Sequence, residues 1–365
     1  MRINQDINAL VDLLKYGIGN STDYQGIDSI QWEQIMRLAQ MQGIGAIVFK
    51  GVEKLYNSSC LREENKLSWD VLSDWVGQVR QQEKRYAMQV DIIEELATFY
   101  QEHGIRMMVL KGWGLSLLYP QPEHRPCSDL DIYLFGEQKR GDRLIHELKD
   151  IEIDNTHHHH SVFIYKGLGV ENHYDFINVY AHLSTRKIER RLKEMAKDAV
   201  PVRIQDAEVW LPSVDFNALF MLRHAAIHFA GSEMSLRQVV DWGLFLKKNH
   251  QLVNWEVLLP FLKELNMHHF LGAINYICYH YLGFERSVFE AYIDEEYGER
   301  VFEDLFNPEN SKPKQKGFII YIYSRYKKWW GNRWKHRIVY PEGLLVTFLV
   351  QVVSHLMKPS TLYHK

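Results

Sequence analysis

The sequence predicts an α+β fold: a small mixed β-sheet flanked by N-terminal helices and a C-terminal helical domain. Three observations predict it. Apolar residues recur at three- and four-residue spacing from Ile3 to about Phe99, short apolar runs with glycine turns occupy Ile105 to Leu211, and helical spacing returns from Ser213. The segments so delimited are 1–100, 101–212, 213–310 and a basic aromatic tail, 311–365.

In the first segment Trp32, Ile35, Met36 and Ala39, then Val71, Trp75 and Val79, mark amphipathic helices. Gly43 and Gly45 interrupt the first, Asn57-Ser58-Ser59 marks a loop, and His103-Gly104 closes the helix ending near Tyr100. Ile105–Leu110 reads as a strand, Lys111-Gly112-Trp113-Gly114 as a turn, and Leu115–Tyr119 as the start of a helix. Leu130–Phe135 is a second strand and Lys139–Leu148 a helix. Ser161–Tyr165 and Val170–Val179 form an antiparallel pair turned at Lys166–Gly169, and Val209–Leu211 adds a short strand. Ser213 or Asp215 caps a helix running through Phe229; Leu236–Lys248, Trp255–Leu265 and His268–Leu282 continue the helical domain.

Composition narrows the function. A chain of 365 residues with 46% apolar and 24% charged residues is a folded protein of more than one ordinary core, which excludes disordered, collagenous and disulfide-scaffold classes. With 43 Lys and Arg against 46 Asp and Glu, the net charge of −3 does not draw polyanions to the molecule as a whole. Cys60, Cys127 and Cys278 are odd in number and lack metal-type spacing, as expected in a reducing, cytoplasmic setting. Met1–Leu14 carries Arg2, Asp6 and Asp12 and does not read as a signal peptide. Gly343–Val353 falls short of the roughly 20 apolar residues that span a bilayer.

The chemistry concentrates at Ser128-Asp129-Leu130-Asp131-Ile132. Residues two apart in a strand point the same way, so Asp129 and Asp131 present paired carboxylates while Leu130 and Ile132 face the core. Such a pair is either two solvated acids at a strand mouth or a site shared with a cation, Mg2+ being the usual one with phosphate oxygens. Glu171, His173 and Asp175 alternate onto one face of a later strand; if that strand lies beside Asp129, Glu171 is a third carboxylate over the same site. Three acids from neighbouring strands suit two-metal phosphoryl transfer, and Lys111-Gly112 at a strand-to-helix turn suits a phosphate cradle.

Leu110-Lys111-Gly112, Tyr119-Pro120, Arg125-Pro126, Ser128-Asp129-Leu130-Asp131 and Val170-Glu171-Asn172-His173 together resemble the uncharacterised nucleotidyltransferase family of the DNA polymerase beta superfamily. Trp32 to Gly43 and His224-Ala225-Ala226-Ile227-His228 with Arg237 and Val240-Asp241 are similar to its flanking helices, so the resemblance covers roughly residues 30 to 265. It implies a nucleotidyltransferase core at 101–212 that moves a nucleoside monophosphate from an NTP to an acceptor hydroxyl. Asp129 and Asp131 would bind two Mg2+ ions, and Glu171 the one that activates the acceptor. Lys111, Gly112, Trp113, Arg125 and Ser128 would bind the nucleotide, although Trp113 stands where superfamily enzymes usually carry serine. The expected acceptor is a small molecule or a protein side chain rather than nucleic acid. The competing expectation is a catalytically weak module that binds nucleotide or a partner on the same fold.

Other residues have two readings each. His173 either serves as an acid/base group near substrate or hydrogen-bonds a neighbouring strand. His157–His160 read mainly as a solvated or partly packed loop, with a functional role reserved for His160 at the strand entry. His224 and His228 share a helix face at a spacing able to hold zinc but read first as packing residues, and Asp241 reads first as the i,i+4 partner of Arg237 and second as a residue that positions substrate or the catalytic domain. The tail interleaves Trp329, Trp330 and Trp334 with basic residues. Nine acidic residues stand against two basic ones in 285–309, and nine basic against no acidic in 312–337. The tail therefore packs on the acidic stretch, meets an anionic membrane surface peripherally or, third in order, contacts nucleic acid.

Overall fold

The computed structural model describes residues 5–21, 30–58, 66–180, 182–231, 234–307 and 330–357, with side chains to 350. Cys60, Lys312–Lys328 and Trp329 lie outside the described residues. Four helices open the chain: α1 Gln5–Ile18, α2 Trp32–Met41, α3 Gly45–Asn57 and the 34-residue α4 Trp69–Glu102, whose Ser68 cap accepts from the Val71 N–H. Helices α1 and α3 cross without side chains between them. A Cβ on Gly17 would lie 1.9 Å from the Ile47 carbonyl oxygen, and one on Gly51 would lie 1.9 Å from that of Leu13.

The middle segment builds β1 Met108–Val109, α5 Gly112–Ser116, β2 Asp129–Tyr133, α6 Gln138–Lys149, β3 His160–Tyr165, β4 Leu168–His173, α7 Thr185–Met195, β5 Val200–Ile204 and β6 Ala207–Leu211. The six strands form one mixed sheet in the order β3-β4-β2-β1-β6-β5. Only β2–β4 and β1–β6 are parallel. The first strand is shorter than expected, and β5 and α7 are additions. Strand β4 stops at His173 and does not reach Val179: the N–H groups of Tyr174 and Asp175 both go to the His159 carbonyl, and the Glu189 carboxylate of α7 accepts those of Phe176 and Ile177. Lys166 and Gly167, both at positive φ, make the tight β3–β4 turn.

The helical domain follows as α8 Val214–Gly231, α9 Leu236–Asn249, α10 Trp255–Glu264, α11 His268–His280 and α12 Glu295–Leu305. Ser213 caps α8 through the Phe216 N–H, while Asp215 instead accepts from Asn254. Buried residues of α1–α3 and α8–α12 share one apolar core, so the N- and C-terminal helices pack as one body around the sheet's first face. The second half of α4 and Ile145 of α6 cover the other face in a separate core.

Described tail residues fold back onto that body in α13 Arg333–Arg337 and α14 Leu344–Met357. Lys335, fully buried, pairs with Asp304 of the acidic stretch at 2.6 Å; Trp334 meets Phe229 edge-on, and Tyr340 stacks on His182 at 3.6 Å. Helix α14 leaves Leu345, Val346, Phe348 and Leu349 exposed. No helix among the described residues is long and apolar enough to cross a membrane.

Candidate active site

The site lies on the seam between β2 and β4. Parallel pairing sets Asp131 opposite Glu171 and Tyr133 opposite His173, and antiparallel pairing sets His160 opposite His173. Because side chains alternate along strands, Asp129, Asp131, Glu171, His173 and His160 share one face, while Leu130, Ile132 and Val170 enter the core beneath α4. Gln89 of α4 donates to the Asp129 carbonyl at 2.9 Å and fixes the start of β2.

Asp131 is the centre of this face. It is 3% exposed, and its Oδ1 receives Lys111 Nζ at 3.0 Å and His173 Nε2 at 3.0 Å. Burial opposes its charge, but the Lys111 and His173 cations outweigh burial and hold the carboxyl well below the usual carboxylate range. Burial also opposes charge on His173, yet the hydrogen bond to Asp131 and the Glu171 carboxylate 3.5 Å away push its imidazole up to about 9. Glu171 is drawn down in the same way, His173 outweighing burial. Asp129 is the exception. Burial, then the neighbouring Asp131 charge, raises its carboxyl, and Ser128 Oγ donates to it at 3.0 Å.

The histidine run is not a solvated loop throughout. His160 opens β3 and is buried, and the rings of His159 and His160 lie 5.6 and 5.1 Å from that of His173. Burial takes the His159 imidazole down to about 2 and that of His160 to about 4, so both are neutral in the folded protein.

The Lys111-Gly112 turn meets Asp131 through the Lys111 ammonium. Lys111 adopts φ 35° and ψ −120°, a conformation that costs a non-glycine residue on the order of 1–3 kcal/mol and persists only where surroundings enforce it. Here the enforcing contacts are its ion pair with Asp131 and the position of its ammonium 5.6 Å from the Phe220 ring. Gly112 opens α5. The Trp113 side chain is buried in the second core with Val109 and Leu130, leaving its backbone at the turn.

Arg125 is held rather than free. Its Nε and Nη2 bond the two carboxylate oxygens of Asp241 at 2.8 and 2.9 Å, and Nη1 donates to the Gly112 carbonyl at 3.1 Å. Tyr119 donates to the same Asp241 at 2.7 Å. Asp241 is therefore not the helical partner of Arg237, which instead donates to the Pro126 carbonyl; a buried bidentate pair satisfies its charge better than an exposed i,i+4 contact. Asp241 and Tyr119 thus belong to the architecture of the turn, a role with no local sequence signal because the partners are 116 and 122 residues apart. His224 and His228 touch each other through Nε2 at 3.2 Å, as a packing pair would.

Ligand atoms of Asp131, Glu171 and His173 all lie within 4.8 Å of one another, so this donor set fits a divalent cation. In the structure Lys111 and His173 supply the positive charge that balances the carboxylates.

A family described as uncharacterised nucleotidyltransferase matches residues 28–283. An antigenic nucleotidyltransferase-like protein from Paracoccidioides brasiliensis, of known crystal structure, is similar over 59% of this chain and 96% of its own, at 13% identity and a TM-score of 0.34. No curated protein matches the chain.

Proposed function

The chain belongs to the uncharacterised nucleotidyltransferase family, and from that premise we propose that it transfers a nucleoside monophosphate from an NTP to an acceptor hydroxyl in a divalent-metal-dependent reaction. The observation that carries this reading is the in-register pairing of Asp131 with Glu171, with Asp129 on the same face. The acceptor oxygen bonds to the α-phosphorus, the bond to the bridging oxygen breaks, pyrophosphate leaves and the hydroxyl proton is released. Mg2+, when bound, supplies neutralisation of the triphosphate and activation of the attacking oxygen. Asp129 and Asp131 would hold both ions, and Glu171 the ion on the acceptor side. Lys111 shares its ammonium between Asp131 and the triphosphate, and backbone groups at Gly112 and Trp113 approach the phosphates. Arg125 acts as a positioning residue that ties the turn to α9 through Asp241. The test is a thermal-shift panel of NTPs with and without Mg2+. Binding only to the folded chain at 100 times the dissociation constant stabilises it by about 2.7 kcal/mol, and a panel with no magnesium-dependent shift would count against the reading.

For the tail we propose peripheral contact with an anionic membrane surface. Exposed Leu345, Phe348 and Leu349 on α14, with exposed Arg333 and Arg337 just before it, support this.

A further inference from the structure

We propose that His159, His160, His173 and Glu171 form a binding site for a divalent transition-metal ion of the Zn2+ class. This inference does not rest on nucleotidyl transfer, although Glu171 and His173 also face the carboxylate site. Ligand nitrogens of the three histidines all lie within 4.8 Å of one another. Glu171 Oε2 is 3.5 Å from His173 Nε2 and 3.7 Å from His160 Nδ1. Those separations are longer than a good hydrogen bond and close to the edge of about 3.4 Å between donors around a tetrahedral ion with bonds near 2.05 Å.

Two further observations point to a ligand. His160 is 6% exposed, yet its Nδ1 has no hydrogen-bond partner, and the buried Nδ1 of His159 has none either. Buried imidazole nitrogens are ordinarily satisfied, and a metal ion would satisfy them. His173 donates Nδ1–H to the Asp175 carbonyl at 3.1 Å, the outer hydrogen bond that orients a ligating imidazole. Its Nε2, which donates to Asp131 Oδ1 at 3.0 Å in the structure, gives up that bond and releases its proton to solvent when it takes the ion, and Asp131 keeps its pairing with Lys111. Three imidazoles and one carboxylate select Zn2+ over Mg2+, which prefers an all-oxygen shell. The sheet produces the site: β3–β4 pairing places His160 beside His173, and the chain entering β3 brings His159 with it.

The experiment uses the full untagged chain, stripped with a chelator, titrated by calorimetry with Zn2+ alone and separately with Mg2+ alone. One Zn2+ per chain should bind, with X-ray absorption reporting three nitrogen ligands and one carboxylate. His159→Ala and His160→Gln should each weaken Zn2+ binding by on the order of tenfold or more. His158→Ala, which alters the run at a ring that lies against Tyr180 and not against the proposed ligands, should leave it unchanged. Equal weakening by His158→Ala would mean that the run binds metal as an unstructured tract and would overturn the site. An all-oxygen shell in the wild-type protein, or no preference for Zn2+ over Mg2+, would overturn it whatever the variants' folding. NTP binding plays no part in these readouts, so failure of the transfer reading leaves them standing.

Discussion

Arg125 and Asp241, 116 residues apart, form a buried bidentate ion pair that fastens the loop beside the Lys111-Gly112 turn to the second helix of the C-terminal domain. Removing one partner strands the other charge in an apolar setting. Arg125→Met and Asp241→Leu should therefore each cost about 3–5 kcal/mol in denaturant unfolding, and the double variant much less than their sum. Simple additivity would show that the pair is not coupled.

Asp129 and Asp131 should respond oppositely to neutralisation. Asp131→Asn leaves the Lys111 and His173 cations without their shared counter-charge and should lower the melting temperature. In Asp129→Asn the lost charge is one that burial and Asp131 already disfavour, so the melting temperature should hold or rise. Both variants should lose magnesium-dependent nucleotide binding. Equal destabilisation by the two would contradict the charge distribution described.

On the proposed assignment of Glu171 to the acceptor-side ion, Glu171→Gln should spare NTP binding and reduce transfer on the order of a hundredfold or more. Equal loss of binding in this variant and in Asp129→Asn would assign Glu171 to the triphosphate side.

His182 links acid sensitivity to the tail. Burial, then the Arg223 and His336 charges, hold its imidazole down to about 3. The unfolded chain takes up this proton below about pH 6.5 and the folded chain does not until about pH 3, so its contribution is intact above pH 6.5 and lost as pH falls through that window. The loss is about 2 kcal/mol by pH 5. His182→Phe, which keeps an aromatic ring against Tyr340, should flatten the decline in melting temperature between pH 7 and pH 5. An unchanged slope would exclude His182 as its source.

The tail proposal predicts sedimentation with anionic vesicles at low salt, weaker at high salt. Phe348→Asp with Leu349→Asp should abolish it without altering nucleotide binding. Absence of sedimentation by the wild-type chain at low salt would end the membrane reading.

What was legible in the sequence was whatever depends on periodicity. Alternation placed Asp129 with Asp131 and Glu171 with His173, and the structure pairs those two strands in register. Helical spacing located α8 to α11 within a few residues. What was hidden depends on distant partners. The strand expected to reach Val179 ends at His173: the N–H groups of Tyr174 and Asp175 both go to the His159 carbonyl, and Glu189, on the unforeseen α7, captures those of Phe176 and Ile177. Asp241 reads first as the partner of Arg237 because neighbours four apart are visible in a sequence, whereas the partner that realises its second, positioning reading, Arg125, is in another segment. Four adjacent polar rings carry no burial signal, so the histidine run reads as a solvated or partly packed loop with His160 at the strand entry; strand pairing then buries His160.

The glycine crossing of α1 and α3 sets a boundary that similarity alone would misplace. The family match begins at residue 28, after α1 has ended. Yet α1 touches α3 backbone to backbone, and Leu10, Leu13 and Leu14 are fully buried. A truncation at residue 28 would keep every residue by which relatives are recognised and still open the interior to water. The unit that folds is larger than the stretch the family match covers, and expression trials should begin upstream of Gln5.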